Sequence, residues 1–359
     1  MEDIEKLLVG KAKLIDALIE KYIPRKYDKK SLIFTCGEPR YEYNTQAVQK
    51  SIAEPIWELL DRGGKRWRPV LFLLVYEALG GDPKKVMDFA IIPEVTHEGT
   101  LVIDDIEDNS ELRRGKPCIH KIFGTDVAIN VGNTMYYLPL LVLLKNRDNF
   151  QKEILLKLYE IYSQEMINLG FGQGTDIAWH RGLANADNIK EGEYLQMCAY
   201  KTGVLARMAA KMAAVLADAT DDQVEVIGKF AEAIGIAFQI QDDILNLTAT
   251  SDKAQFVKEY IGSDITEGKR TLMIIHTLIK ANKRNRKRLL EILSMHTTDQ
   301  KLKEEAIGII KKYGSVEYAK EFARKLVKSA WNKVDELFPS SDAKEKLRAF
   351  ANYLIERKI

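Results

Sequence analysis

Apolar residues recur at helical spacing along almost the whole chain, strand-like alternation is absent, and Gly/Pro punctuation is sparse. A chain so patterned can bury its apolar stripes only by packing helix on helix. The spacing predicts helices near residues 2–22, 45–61, 66–79, 84–109, 126–145, 150–170, 188–218 and 222–248, followed by several shorter ones. Breaks are expected at Gly63-Gly64, Gly80-Gly81-Asp82-Pro83, Arg114-Gly115-Lys116-Pro117 and Gly172-Gln173-Gly174. None of these is long or low in complexity. We therefore expect an all-α protein: residues 1–44 as an N-terminal arm or helix packed outside the core, then one large helical domain over 45–359.

Composition narrows the function classes by exclusion. A formal net charge of +2 argues neither for nucleic acid nor for an anionic membrane surface. The basic run Lys283 to Arg288 has no interleaved aromatics and is read as a solvated face. Cys36, Cys118 and Cys198 are scattered and form no CxxC pair, which fits reduced thiols in a cytoplasmic protein. The first residues, Met-Glu-Asp-Ile-Glu, are acidic where an export signal would be basic. Val127 to Leu144 is uncharged but contains Asn130, Gly132, Asn133 and Pro139, so a buried core helix is expected there, with no transmembrane segment.

Two acidic clusters lie inside apolar stretches: Asp104-Asp105-Ile106-Glu107-Asp108 and Asp242-Asp243-Ile244-Leu245-Asn246. Helical residues four apart share a face, so Asp104 with Asp108, and Asp242 with Asn246, can each aim oxygen ligands at one point. Hard divalent cations bind such oxygens, and Mg²⁺ can bridge them to phosphate while keeping waters. Basic residues follow the first cluster in Ser110-Glu111-Leu112-Arg113-Arg114-Gly115-Lys116-Pro117. Arg113 and Arg114 suit a phosphate ligand, and a structural salt-bridge network accounts for them equally well. A second basic segment, Gly63-Gly64-Lys65-Arg66-Trp67-Arg68-Pro69, is not a Walker loop and would bring Lys65 and Arg68 to one side of a turn. His97 precedes Asp104 by two helical turns on roughly the same face.

These segments, with Gly172 to Ile177 (GQGTDI), Lys201-Thr202-Gly203, Phe238 to Asp243 and Asp264 to Lys269, resemble in order and spacing the trans-isoprenyl diphosphate synthases, or polyprenyl synthetases. The resemblance spans about Gly63 to Lys269. It implies a single helical bundle around a central hydrophobic cavity, commonly a homodimer, acting on isopentenyl diphosphate and an allylic prenyl diphosphate. By position, Asp104, Asp105 and Asp108 would hold two Mg²⁺ on the allylic diphosphate, and Asp242 with Asp243 a third. Arg113, Lys201, Thr202, Gln239, Lys258 and Lys269 are similar to further allylic-diphosphate contacts. Lys65, Arg68, His97 and Arg114 resemble the isopentenyl-diphosphate pocket.

The pattern is most like eukaryotic-type geranylgeranyl diphosphate synthases, including Asn246 where many members have Asp. Farnesyl-forming members commonly place bulky aromatics one turn before the first motif. Here those positions are Gly99 and Thr100, with Val95 and Thr96 a turn further back, so a longer, geranylgeranyl product is expected. Tyr136, Tyr137 and Leu140 are candidates for a floor to the hydrocarbon tunnel. Other readings are a medium- or long-chain or farnesyl synthase, a class I terpene cyclase, or a non-catalytic synthase subunit. The cyclase reading lacks the glutamate that completes its second metal motif. The subunit reading conflicts with retention of both Asp pairs.

Overall fold

The structure is a computed structural model that describes residues 2–248 and 262–356. The chain divides into two units: Met1–Glu160 with Ala209–Thr220 and Pro339–Leu347, and Ile161–Met208 with Asp221–Phe338 and Arg348–Ile359. The first unit contains α1 (Glu2–Tyr22), α2 (Lys29–Cys36), α3 (Thr45–Val48), α4 (Glu54–Leu60), α5 (Trp67–Ala78) and α6 (Ile91–Glu107). It continues through a small hairpin, β1 (Leu112–Arg113) and β2 (Lys116–Pro117), to α7 (Ile119–Phe123), α8 (Thr125–Tyr137) and α9 (Leu141–Lys145). Next come α10 (Lys152–His180), α11 (Glu191–Cys198), α12 (Val204–Leu216) and α13 (Asp221–Thr248), which run mainly through the second unit. Then α14 (Ser263–Glu267), α15 (Leu272–Lys280), α16 (Lys283–Ser294), α17 (Gln300–Lys312), α18 (Ser315–Val334) and α19 (Asp342–Glu356) complete the described chain. The all-α expectation holds, since β1 and β2 are the only strands among the described residues.

Proline and glycine decide where the expected helices divide. The helix expected over 84–109 begins only at Ile91, after two 3₁₀ turns, because Pro93 lacks an N–H and fits only in a first turn. Within 45–60, Pro55 follows a π-helical turn at Gln49–Ala53. Pro139 lies in a 3₁₀ turn that separates α8 from α9. The break expected at Gly172-Gln173-Gly174 is absent, and α10 runs through it to His180. Close approach, not chain reversal, is the reason for Gly172: a Cβ there would lie 2.5 Å from the carbonyl carbon of Tyr200 and overlap the Lys201 nitrogen.

Within the first unit, α1 packs on α5 and α6 and buries Ile15 and Ile19 completely. Beneath the end of α6, Val102 joins Leu59, Ile119 and Ala128 in an apolar cluster. α6 crosses α8 closely at Gly99 and Gly132. A Cβ on Gly99 would meet Met135 Cβ at 2.9 Å and the Gly132 carbonyl at 3.0 Å, and one on Gly132 would meet Ile103 at 2.6 Å. Gly99 is therefore a helix-crossing glycine, and the space left by its missing side chain is filled by α8. Thr96 and Thr100 return their hydroxyls to the α6 carbonyls of Ile92 and His97. Of the proposed floor residues, Tyr136 lies 3.4 Å from that Gly99 position, whereas Tyr137 is 70% exposed and points outward. The segment Thr125–Lys145 is apolar and long enough to cross a membrane, yet half of it is buried, with Val131, Met135 and Val142 inside.

The two glycines of the α10 motif predict opposite outcomes in urea denaturation. Gly172→Ala should lower stability by about 1–3 kcal/mol, because backbone must move. Gly174→Ala, exposed and with none of the described residues within 4 Å of its Cβ, should raise it by up to about 1 kcal/mol.

Candidate active site

The last turn of α6 carries Asp104, Asp105 and Glu107, with Asp108 as its C-cap and no basic residue. A helix C-terminus is the negative end of its dipole, so each carboxylate there costs about 0.3–1 kcal/mol. Burial of Ile91, Ile92, Val95 and Val102 on the same helix contributes about 1.5–3 kcal/mol each and holds it in place regardless. A Schellman-type turn then ends the helix: Asn109 is left-handed at φ 50, Asn109 N–H donates to Ile106 O at 3.1 Å, and Ser110 N–H donates to Asp105 O at 2.9 Å.

That turn feeds the hairpin, which carries the cations back over the acids. Arg113 pairs with Lys116, and the two residues between them, Arg114 and Gly115, have φ 53 and 75, as a type I′ turn requires. Arg62 fastens the hairpin by donating to Arg113 O at 3.0 Å and Pro117 O at 2.9 Å. Arg113 Nε donates to Asp105 Oδ1 at 2.9 Å, its Nη2 bonds the same oxygen, and it lies 3.7 Å from Asp104 Oδ2. Burial alone would lower the Arg113 pKa, and Asp105 raises it above the ordinary value. Asp105 is only 1% exposed and is engaged inward by Arg113, while Asp104 and Asp108 remain partly exposed.

Lys65 is exposed on the turn before α5, whereas Arg68 is buried in its first turn. His97 lies among Arg68, Arg114, Arg113 and Arg66. Burial first, then those four charges, hold its pKa well below the ordinary histidine value, so it is neutral near pH 7. Five of the expected first-unit residues thus share one electrostatic neighbourhood: Arg68, His97, Arg113 and Arg114, with Asp105 paired to Arg113.

In the second unit, Lys201 and Thr202 sit in a π-helical turn, Ala199–Gly203, between α11 and α12. Glycines permit this turn: Gly172 abuts Tyr200 and Lys201, and a Cβ on Gly235 would lie 2.6 Å from Gly203 Cα. Lys201 Nζ donates to Asp176 Oδ2 at 2.5 Å. A hydrogen-bonded chain runs from Thr202 Oγ1 to Gln239 Oε1 at 2.9 Å, and from Gln239 Nε2 to Asp243 Oδ1 at 2.8 Å. Tyr194 Oη donates to Asp243 Oδ2 at 3.0 Å. Burial, then Asp264, push the Asp243 carboxyl well above the usual range, despite those hydrogen bonds. Asp242, its neighbour on α13, is partly exposed.

Asn246 departs from the expectation that it shares a ligand face with Asp242. It is buried, its Nδ2 donates to Ser263 Oγ at 2.7 Å, and its Oδ1 accepts Asp264 N–H at 3.3 Å. Both bonds tie α13 to the start of α14. Lys269 lies just after α14, pairs with Glu267, and donates its backbone N–H to Asp264 O at 2.9 Å. Lys258 lies outside the described residues.

The donor chemistry fits Mg²⁺. Carboxylates at the negative end of α6, and the raised Asp243 carboxyl beside Asp264 and Asp242, are both arrangements that a divalent cation would relieve. Among the described residues no three His, Cys, Asp or Glu groups form a ready-made cage. Mg²⁺ does not require one, since one or two carboxylates suffice when substrate phosphates and water complete the octahedron.

Sequence reasoning missed Asp16, Arg66, Glu94, Glu98, Asp176 and Tyr194. Glu94 and Glu98 carried a usable signal, two acids four residues apart in the largely apolar stretch that precedes the acidic cluster. Asp16 and Tyr194 carried none, because their partners are distant in sequence.

The polyprenyl synthetase family model matches residues 49–310. The chain is 34% identical over 300 residues to a short chain isoprenyl diphosphate synthase of Methanothermobacter thermautotrophicus, covering 84% of this chain and 88% of that one. It is 33% identical over 306 residues to a geranylgeranyl diphosphate synthase of Sulfolobus acidocaldarius, covering 85% and 90%. The crystal structure of geranylgeranyl pyrophosphate synthetase from Pyrococcus horikoshii Ot3 superposes with a TM-score of 0.84 at 30% identity, covering 99% of each chain. With the ordered motifs, the helical fold and this breadth of match in agreement, the chain belongs to the polyprenyl synthetase family.

Proposed function

We propose that this chain is a Mg²⁺-dependent prenyltransferase that condenses isopentenyl diphosphate with an allylic diphosphate, giving all-trans geranylgeranyl diphosphate. The observation that carries the reading is the acidic last turn of α6 lying against the arginine hairpin. Acid beside base at one helix end suits a ligand that is itself anionic and arrives with cations. The geranylgeranyl product is supported by the names of the Sulfolobus and Pyrococcus relatives.

Asp104, Asp105 and Asp108, and Asp242 with Asp243, are the residues that would hold Mg²⁺, three ions per site. Bound there, Mg²⁺ supplies positive charge to the allylic diphosphate as its C–O bond ionises. Arg113 of the first unit is a proposed diphosphate contact, as are Lys201, Thr202, Gln239, Lys258 and Lys269 of the second. Asp105 keeps the Arg113 guanidinium charged and oriented. Lys65, Arg68, His97 and Arg114 hold isopentenyl diphosphate, whose double bond attacks the allylic carbocation, so catalysis there is proximity. Neutral His97 offers a hydrogen bond without adding charge to the arginines around it. Loss of a proton from the new cation completes a chain five carbons longer.

Homodimer formation and a cytoplasmic setting belong to the same proposal. Ile129, Tyr137 and Leu144 are exposed apolar residues along α8 and α9 that a second copy would cover. Buried Cys118 and Cys198 and exposed Cys36 are free thiols, as suits a reducing compartment.

Incubating the purified protein with Mg²⁺, isopentenyl diphosphate and each allylic primer separately should give a product mainly of geranylgeranyl length, read by mass. Absence of any elongated product from every primer would overturn the reading. Asp104→Ala and Asp242→Ala should each cut kcat by about 10²-fold or more while circular dichroism stays unchanged. Wild-type turnover in either variant would remove that aspartate from the metal assignment.

A further inference from the structure

Behind the isopentenyl-diphosphate residues lies a buried charge cluster that the reaction does not use. Glu94 and Glu98 of α6 are 2% and 0% exposed, and Arg66 is 2% exposed beside them. Arg66 is left-handed at φ 47, which turns its side chain under the Gly63-Gly64 turn. Its Nη1 donates to Glu94 Oε1 at 3.1 Å and to Glu98 Oε1 at 2.5 Å, and its Nη2 to Leu60 O at 3.0 Å. Its Nε donates to Oδ1 of Asp16 on α1 at 3.0 Å, so a residue outside the family-matched 49–310 takes part. Glu98 Oε1 also accepts Arg114 Nη2 at 2.9 Å, and Arg114 Nη1 bonds Gly63 O.

Stability does not explain this arrangement. Glu94 and Glu98 each keep a buried Oε2 with no hydrogen-bond partner among the described residues, a costly condition that a pair of apolar residues would avoid. Burial first, opposed by Arg66 and reinforced by Glu98, raises the Glu94 pKa, so the two carboxylates oppose each other. The geometry shows what the cluster accomplishes. Arg66 is held from three elements and cannot turn, and Glu98 extends that rigidity to Arg114, whose side chain is 23% exposed. Gly64 sits over both guanidiniums, and a Cβ there would lie 3.2 Å from Arg66 Nη1 and 3.3 Å from Arg114 Nη2.

We propose that Glu98 is a positioning residue for the isopentenyl-diphosphate half-site: anchored through Arg66 to Asp16 and Glu94, it fixes the Arg114 guanidinium before the diphosphate arrives. This rests on the function proposed above for Arg68, His97 and Arg114. Preorganised cations bind an anion more tightly than ones that must be gathered against their own repulsion. The role acts on isopentenyl diphosphate and leaves the allylic diphosphate untouched, since Arg113 is oriented separately by Asp105.

The test is Glu98→Gln, which keeps the shape and removes the charge. KM for isopentenyl diphosphate with Mg²⁺, and its Kd by calorimetry in EDTA, should both rise about tenfold. KM for farnesyl diphosphate should move less than twofold, a split that general loosening of the fold would not give. Inorganic diphosphate, titrated in EDTA as a second probe, should weaken in parallel. An unchanged Kd for isopentenyl diphosphate overturns the proposal. Tighter binding overturns it too, because Glu98 would then act only as an opposing charge. If Glu98→Gln fails to fold, Asp16→Asn, altering a carboxylate that is 42% exposed, should weaken isopentenyl diphosphate about threefold, and no change would overturn the anchor. Wild-type protein that binds neither probe would remove the functional reading and the proposal together. Wild-type binding matched by the variant would remove the proposal alone.

Discussion

Carboxylates at the negative end of α6 are the constraint on which the rest of the first unit depends. Their placement opposes the helix dipole, and no basic residue in the last turn offsets it. The structure answers with a hairpin that folds Arg113 onto Asp105 while leaving Asp104 and Asp108 partly exposed. Asp105 thus bonds Arg113 through one carboxylate oxygen in addition to its proposed place among the metal ligands. Asp104 and Asp108 are left as the acids a metal could approach from solvent.

The second unit handles its acids differently. Asp243 is buried and hydrogen-bonded from two sides by Gln239 and Tyr194, and Asp242 is the partly exposed member. Asn246 has joined the scaffold, where its amide bonds Ser263 and the Asp264 backbone. Each unit therefore has an acid facing in and an acid facing out. In each, the inward acid accepts a hydrogen bond from a proposed diphosphate contact, Arg113 in one and Gln239, itself bonded by Thr202, in the other.

Much of this is legible in the sequence because the helical period fixes which residues share a face. The four-residue spacing of Asp104 and Asp108 puts them on one side of α6, and the helix expected over 222–248 runs from Asp221 to Thr248. Glycine is the main source of error, because it serves both turns and close approach and the difference lies in a neighbour remote in sequence. Gly172 faces Tyr200 and Lys201, so it is no break, and Gly99 faces α8, so it is no open tunnel wall. Charge pairing is equally opaque. Arg113 and Arg114 allow either a ligand or a salt-bridge reading, and the structure gives each an acidic partner without burying Arg114 fully. Asp16 pairs with Arg66 fifty residues away, a link that helical periodicity cannot express.

The central claim is that the acidic motifs are incomplete metal sites, finished only by a diphosphate. Calorimetric titration of Mg²⁺ into the protein, with and without a non-hydrolysable allylic diphosphate analogue, tests it most directly. The account predicts weak Mg²⁺ binding to the protein alone and binding tightened by about 10²-fold or more when the analogue is present. Tight Mg²⁺ binding without any diphosphate, or affinity unaffected by the analogue, would contradict it.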